Sequence, residues 1–289
     1  MIQNMNNKKI LITAKDLFKN YNNSKYIVID TRFSLFDSSM GQNEYKAGHL
    51  PGAIYVNLDE DLAGNINQYS GRHPLPSIDK LTQRFRDWGI SNNSQVIVYD
   101  ANNSAIAARL WWLLKWLGHE DVFILDGGIE SWKKENYKLE TSPSSNDPGD
   151  FQAFRATKKI WNSQLIESWL RDDIPFVLLD AREKSRFDGL NEPIDKIAGH
   201  IPMAINVPFA DFLKPDGCWK NRDDIIKIWD EYNIDIGDSG EWGASCGSGV
   251  TACHLIISAI LAGLPEPILY PGSWSEWITN SSRPIKNEY

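Results

Sequence analysis

A cysteine held at the mouth of a helix by glycines is the arrangement in this sequence best suited to chemistry. The run Ser245-Cys-Gly-Ser-Gly-Val-Thr-Ala-Cys253 places Cys246 just ahead of Gly247 and Gly249, and an apolar helix-like run follows from Val250 to Leu261. Glycines let successive backbone N–H groups turn into one concavity, and a helix start adds a positive dipole end there. Both effects stabilise an anion, so Cys246 is placed to be a thiolate nucleophile. Ser248 and Thr251 add hydroxyl donors. A sulfur atom carried on Cys246 as a persulfide is an anion that needs such donors.

Cys246 stands apart from the other two cysteines. Cys218 and Cys253 have no comparable surroundings and read as packing residues. Cys253 falls two helical turns after Cys246, on the same side but deeper. Three cysteines in 289 residues make no disulfide framework and fit a reducing, cytoplasmic setting. No group of residues has metal-ligand spacing, and no cofactor motif is present.

The elements that position the loop come in two copies. Tyr26-IVIDTR-Phe33 parallels Phe176-VLLDAR-Glu183, and Ala47-GHLPGAIYVNL-Leu58 parallels Ala198-GHIPMAINVPF-Phe209. A third block, Leu117-GHEDVFILDGGIESW-Trp132, parallels Ala262-GLPEPILYPGSWSEW-Trp277. Three blocks in the same order, at a nearly constant offset, mark a duplication. Short strand-like runs such as Val96-IVYD-Asp100 alternate with helix-like runs such as Ala105-IAARLWWLLKWL-Leu117. This pattern predicts an α/β fold with mostly parallel sheets flanked by helices. The Pro-, Ser- and Gly-containing stretch Thr141–Asp150 reads as a linker. We therefore expect an N-terminal domain over 1–143, a linker over 144–153 and a C-terminal domain over 154–289.

Aligned at their Gly turns, the copies put Ala101 opposite Cys246, so one domain is expected to be active and the other supporting. His49 and His200 recur at matching positions, as do the pairs Asp30/Arg32 and Asp180/Arg182; recurrence in both copies implies structural roles. The Trp111, Trp112 and Trp116 cluster reads as core or interdomain packing. The chain carries a formal charge of −8, which disfavours nucleic acid as a partner. No apolar run is long enough to span a membrane, and the N-terminal residues lack the apolar stretch of an export signal.

The loop Cys246-Gly-Ser-Gly-Val-Thr-Ala252, with the repeated Gly-His-apolar-Pro block, resembles the tandem rhodanese-domain sulfurtransferases, most closely those using 3-mercaptopyruvate. The resemblance runs from Asp30 to Trp277 and implies two tandem rhodanese-like domains. It implies that Cys246 takes sulfur from 3-mercaptopyruvate, that pyruvate leaves, and that the sulfur passes to a small thiol, thioredoxin or cyanide. It further implies Ser248, His73 and Asp59 as a proton relay, Arg186 as the anchor of the donor carboxylate, and Gly247, Gly249, Val250 and Thr251 as the loop around the sulfur.

Two features depart from that pattern. The family's second carboxylate-binding Arg is absent before the second Gly-His pair, where Ile194 stands; Lys196 is the candidate to take its place at the donor carboxylate, with a less directional charge. The run Gly240-EWGAS-Ser245 contains glycines where the family has a β-branched strand. Thiosulfate-using relatives carry basic residues where this chain has Gly247 and Ser248, so a thiosulfate donor is the rival expectation. A sulfur carrier without turnover is a second rival. A phosphatase is disfavoured because Ala252 occupies the position of its phosphate-clamping Arg.

Overall fold

The computed structural model describes residues 9–21, 26–101, 103–154, 157–236 and 241–287. The first half forms a five-stranded sheet from β1 (Leu11–Ile12), β2 (Tyr26–Asp30), β3 (Ile54–Tyr55), β4 (Gln95–Tyr99) and β5 (Val122–Leu125). The spatial order is β1-β5-β4-β2-β3, and every pairing is parallel. The second half repeats it with β6 (Leu178–Asp180), β7 (Ile205–Asn206), β8 (Gly243–Ser245) and β9 (Ile268–Leu269), ordered β7-β6-β8-β9 and again parallel. A single parallel bridge, Ile160 to Leu269, stands where β1 meets β5 in the first sheet. The duplication read from the sequence is thus a duplication of topology.

Runs such as Ile27-Val28-Ile29 and Val96-Ile97-Val98 are apolar on both alternating faces because helices cover both sides of a parallel sheet. The glycine in β8 has a packing cause. A Cβ on Gly243 would lie 2.2 Å from a ring carbon of Trp161, a buried side chain whose backbone pairs with Leu269. The strand gives up a β-branched residue so that the indole can cross it. Gly240, the other glycine of that run, lies outside the described residues.

The helices Ala105–Trp116 and Thr251–Ala262 pack against each other where the two halves meet. Both are buried almost all round, as a helix between two sheets must be. Trp111, Trp112 and Trp116 belong to one apolar core that also contains Val250, Leu255 and Ile256, so a continuous core joins the halves. The stretch between them is no free tether. Gly149 donates to the Arg86 carbonyl, and buried Phe151 donates to Ile90.

Candidate active site

Cys246 follows β8 directly and is 2 % exposed. The turn that receives it is fixed from three sides. Gly249 sits at φ +74°, and a Cβ there would lie 2.4 Å from the Pro271 carbonyl oxygen, so only glycine fits. Its N–H donates to Cys246 Sγ at 3.1 Å. Ser273 Oγ accepts from the Cys246 N–H at 3.0 Å, while Trp274 N–H donates to the Cys246 carbonyl and Ser275 N–H to the Gly247 carbonyl. Ser273, itself at φ +52°, was not singled out from the sequence, although it stands in the turn Gly272-Ser-Trp that the repeat had marked. The helix starts at Thr251, and buried Val250 caps it without a side-chain hydrogen bond.

The first domain supplies an internal comparison. Asp30 pairs with Tyr99, and Asp180 pairs with Ser245. The residue after each central strand is therefore Asp100 in one domain and Cys246 in the other. This corrects the alignment at the Gly turns, which had put Ala101 opposite Cys246; the loop from Asp100 to its Gly turn is one residue longer. Asp100 accepts N–H bonds from Ser104 at 3.0 Å, Ile106 at 3.0 Å and Ala107 at 3.2 Å. Burial raises the Asp100 pKa, and these amides oppose the rise. The same turn thus gathers amides around an acidic side chain in the domain that lacks the thiol.

Three of the expected residues meet across the domain boundary. His73 Nδ1 lies 2.7 Å from Ser248 Oγ, and His73 Nε2 lies 3.0 Å from Asp59 Oδ1. An ionised carboxylate only accepts, which assigns the ring proton to Nε2 and leaves Nδ1 to accept from the Ser248 hydroxyl. Burial lowers the His73 pKa, Asp59 opposes this, and the positive charges of Arg109 and Arg72 add to it. The imidazole is therefore neutral at neutral pH. Asp59 is not the helix cap; Asn57 is, accepting from the Asp59 and Glu60 amides, which frees the Asp59 carboxylate to face His73.

Beneath the turn lies a residue the sequence reading missed. Arg109 is fully buried and donates to the carbonyls of Gly249 at 3.1 Å and His73 at 3.1 Å. One guanidinium from the first domain therefore ties the cysteine turn to the histidine segment, next to Cys246. Its signal was an arginine inside the otherwise apolar run Ala107-Ala-Arg-Leu-Trp111.

Arg186 is present at the turn but engaged. It makes a two-pronged pair with Glu192, at 2.7–3.1 Å, and reaches Asp195 at 3.1 Å. Lys196 is exposed. The second guanidinium at the turn is that of Arg72, which pairs with Asp195 and would lie 2.9 Å from a Cβ on Gly247.

A rhodanese-like domain model matches residues 13–135 and again 164–280. The chain belongs to the rhodanese-like family. It is 41 % identical to a probable 3-mercaptopyruvate sulfurtransferase of Pseudomonas aeruginosa, over 95 % of this chain and 97 % of that protein. It is 36 % identical to a putative thiosulfate sulfurtransferase of Mycobacterium tuberculosis, over 96 % of both. The crystal structure of a 3-mercaptopyruvate sulfurtransferase from Escherichia coli superposes with a TM-score of 0.78 at 27 % identity, covering 92 % of this chain and 99 % of that one.

The remaining recurrent residues of this tandem rhodanese serve the scaffold. Arg32 grips Asp30 and the Gly48 carbonyl, and Arg182 grips Asp180 and the Gly199 carbonyl. His49 Nδ1 meets the Tyr45 carbonyl and His200 Nδ1 the Phe187 carbonyl, each ring stacked on that aromatic neighbour. Burial pushes the Cys253 thiol up to about 12 and that of Cys218 up to about 11, which leaves both poor nucleophiles at neutral pH. Among the described residues, no helix is long and apolar enough to cross a membrane.

Proposed function

We propose that this protein moves sulfur from 3-mercaptopyruvate to a thiol through a persulfide on Cys246. The Cys246 thiolate attacks the donor sulfur, and the carbon–sulfur bond breaks with its electron pair going to carbon. The proton leaves the donor S–H through Ser248 Oγ to His73 Nδ1 and ends on that carbon, giving pyruvate. The thiolate charge becomes the charge of the outer persulfide sulfur, so atoms and charge balance. A small thiol or thioredoxin then takes the outer sulfur and restores Cys246. Arg186 anchors the donor carboxylate, and Gly247, Gly249, Val250 and Thr251 form the cradle around the sulfur. Three free cysteines and the need for a thiol acceptor favour a reducing cytoplasm.

The observation that carries this reading is the 2.7 Å contact of His73 with Ser248, two residues from Cys246. A buried neutral imidazole, backed by a carboxylate and aimed at a hydroxyl, is a device for receiving a proton. A thiol donor has a proton to remove; thiosulfate has none. The thiosulfate reading keeps one observation in its favour, since Arg72 and Arg186 bring two cations to the turn although Gly247 and Ser248 are neutral.

The test offers both donors at equal concentration and follows intact mass. We expect 3-mercaptopyruvate to add about 32 Da at Cys246 with release of one pyruvate, and Cys246→Ala to do neither. Faster loading from thiosulfate would transfer the assignment to that donor, and turnover by Cys246→Ala would end the persulfide mechanism.

A further inference from the structure

The turn bearing Cys246 already holds a carboxylate between two guanidiniums, and that carboxylate belongs to the protein. Asp195 pairs through one oxygen with Arg72 and through the other with Arg186 Nη2 at 3.1 Å. Its side chain is 5 % exposed. Both guanidiniums border the space a Gly247 side chain would fill, with Arg72 Nη2 at 2.9 Å and the two Arg186 Nη atoms at 3.6 and 3.7 Å from the Cβ position. One comes from each domain. The neighbouring carboxylate, Glu192, is differently bound: besides Arg186 and Arg182 it accepts from the backbone amides of Ile194 and Asp195. Glu192 is built into its loop, whereas the partners of the Asp195 carboxylate among the described residues are the two guanidiniums.

We infer that Arg72 and Arg186 together form the receptor for the donor's carboxylate, and that Asp195 occupies this receptor in the free protein and is displaced when donor binds. This rests on the proposed donor being a carboxylate and names the group that recognises it. Charge supports the exchange. Arg72, Arg182 and Arg186 face Asp180, Glu192 and Asp195, so a donor monocarboxylate in place of Asp195 leaves the cluster balanced. Geometry supports it as well, since a planar guanidinium on each side matches the two oxygens of one carboxylate. The residues around Asp195 aid the movement: Pro193, Lys196 and Ile197 are exposed and belong to no helix or strand. Arg72 thereby supplies from the first domain the second cation that Ile194 does not provide.

The experiment compares 3-mercaptopyruvate with 1-mercaptopropan-2-one, which has the same thiol and ketone but no carboxylate, on the full chain. Arg72→Ala is expected to raise KM for 3-mercaptopyruvate about tenfold or more with a smaller change in kcat, as expected from loss of one charge-assisted contact. The ratio of kcat/KM between the two donors should fall by a similar factor, and Arg72→Lys should recover only part of it. Asp195→Asn is expected to lower KM and to strengthen inhibition by pyruvate several-fold. An unchanged donor ratio in Arg72→Ala would overturn the receptor, and weaker pyruvate inhibition in Asp195→Asn would overturn the displacement. Failure of 3-mercaptopyruvate to load Cys246 in the unsubstituted protein would defeat the proposed function instead. A circular dichroism spectrum and melting point for each variant separate lost binding from lost folding.

Discussion

If Ser248 and His73 pass one proton in series, removing both should cost no more than removing the more important one. The perturbations are Ser248→Ala, His73→Gln and the pair. Gln keeps a polar side chain beside Asp59 but cannot take up a proton. The backbone carbonyl of His73, which holds Arg109, is untouched by either change. A positioned acid–base group contributes about 10²–10⁴ in rate. The middle of that range rather than its lower end is apt here, because the imidazole is 3 % exposed and water has little access to replace it. Each single variant should therefore load Cys246 from 3-mercaptopyruvate ~10³-fold more slowly, equivalent to ~4 kcal/mol at 1.36 kcal/mol per decade. In series the double variant also loses ~10³, a coupling of ~4 kcal/mol; independent groups would lose ~10⁶. Asp59 is half-exposed, so Asp59→Asn should cost only about 2–10-fold. The assay is single-turnover loading, quenched with acid and read by intact mass. Thiosulfate carries no S–H, so its loading should change less than tenfold in the same variants. The pH profile gives a second reading. Burial holds the His73 pKa below 6.5, so loading from the thiol donor should be level through neutrality and fall only as acid protonates the ring. Additive losses, or equal losses with both donors, would refute the relay.

Two further predictions concern stability. His254 is fully buried against Trp219, neither ring nitrogen has a hydrogen-bond partner among the described residues, and burial pushes its pKa down to about 3. Below pH 6.5 the unfolded chain takes up a proton there that the native chain refuses, so stability is lost as pH falls toward 3. His254→Phe should remove about 2–3 kcal/mol of the loss between pH 6.5 and 4.5, measured by urea unfolding; an unaltered pH dependence would count against it. Gly243→Val would drive a side chain into the Trp161 ring and should cost about 1–3 kcal/mol, a fall of roughly 3–10 °C in Tm. An unchanged melting point would mean that Trp161 does not require the glycine.

What the sequence disclosed was whatever local pattern encodes. Periodicity gave strands and helices, recurrence gave the two domains, and a Gly-rich turn before an apolar helix gave Cys246. Ser248, His73 and Asp59 came through resemblance, and the structure brings them within hydrogen-bond distance. The features that escaped depend on residues far apart in the chain. Arg72 and Asp195 are separated by 123 positions, and nothing near either announces the other. The glycine of β8 is explained by Trp161, in a segment that precedes the whole second sheet. Asp100 was misplaced by one residue because the Gly turns were used as the anchor, whereas strand pairing fixes the correspondence.

Under the mechanism proposed above, both copies are needed for one reaction. Each half extends an arm across the other's turn. In one direction Arg72 N–H donates to Ser275 Oγ and His73 reaches Ser248. In the other, Trp219 N–H donates to Asp126 and its indole donates to Ser104. The two arms read Gly71-Arg-His73 and Gly217-Cys-Trp219, so His73 and Trp219 occupy corresponding places. One turn holds a thiol and receives a titratable ring; the other holds the Asp100 carboxylate, already satisfied by amides, and receives an indole that only donates. The asymmetry therefore extends beyond a lost nucleophile in one copy. His73 and Cys246 lie on opposite domains, and Arg109 fixes their spacing by holding carbonyls from both. A second domain isolated from the first would retain Cys246 and Gly249 but lose His73, the buried Arg109 and one of the two guanidiniums at Gly247.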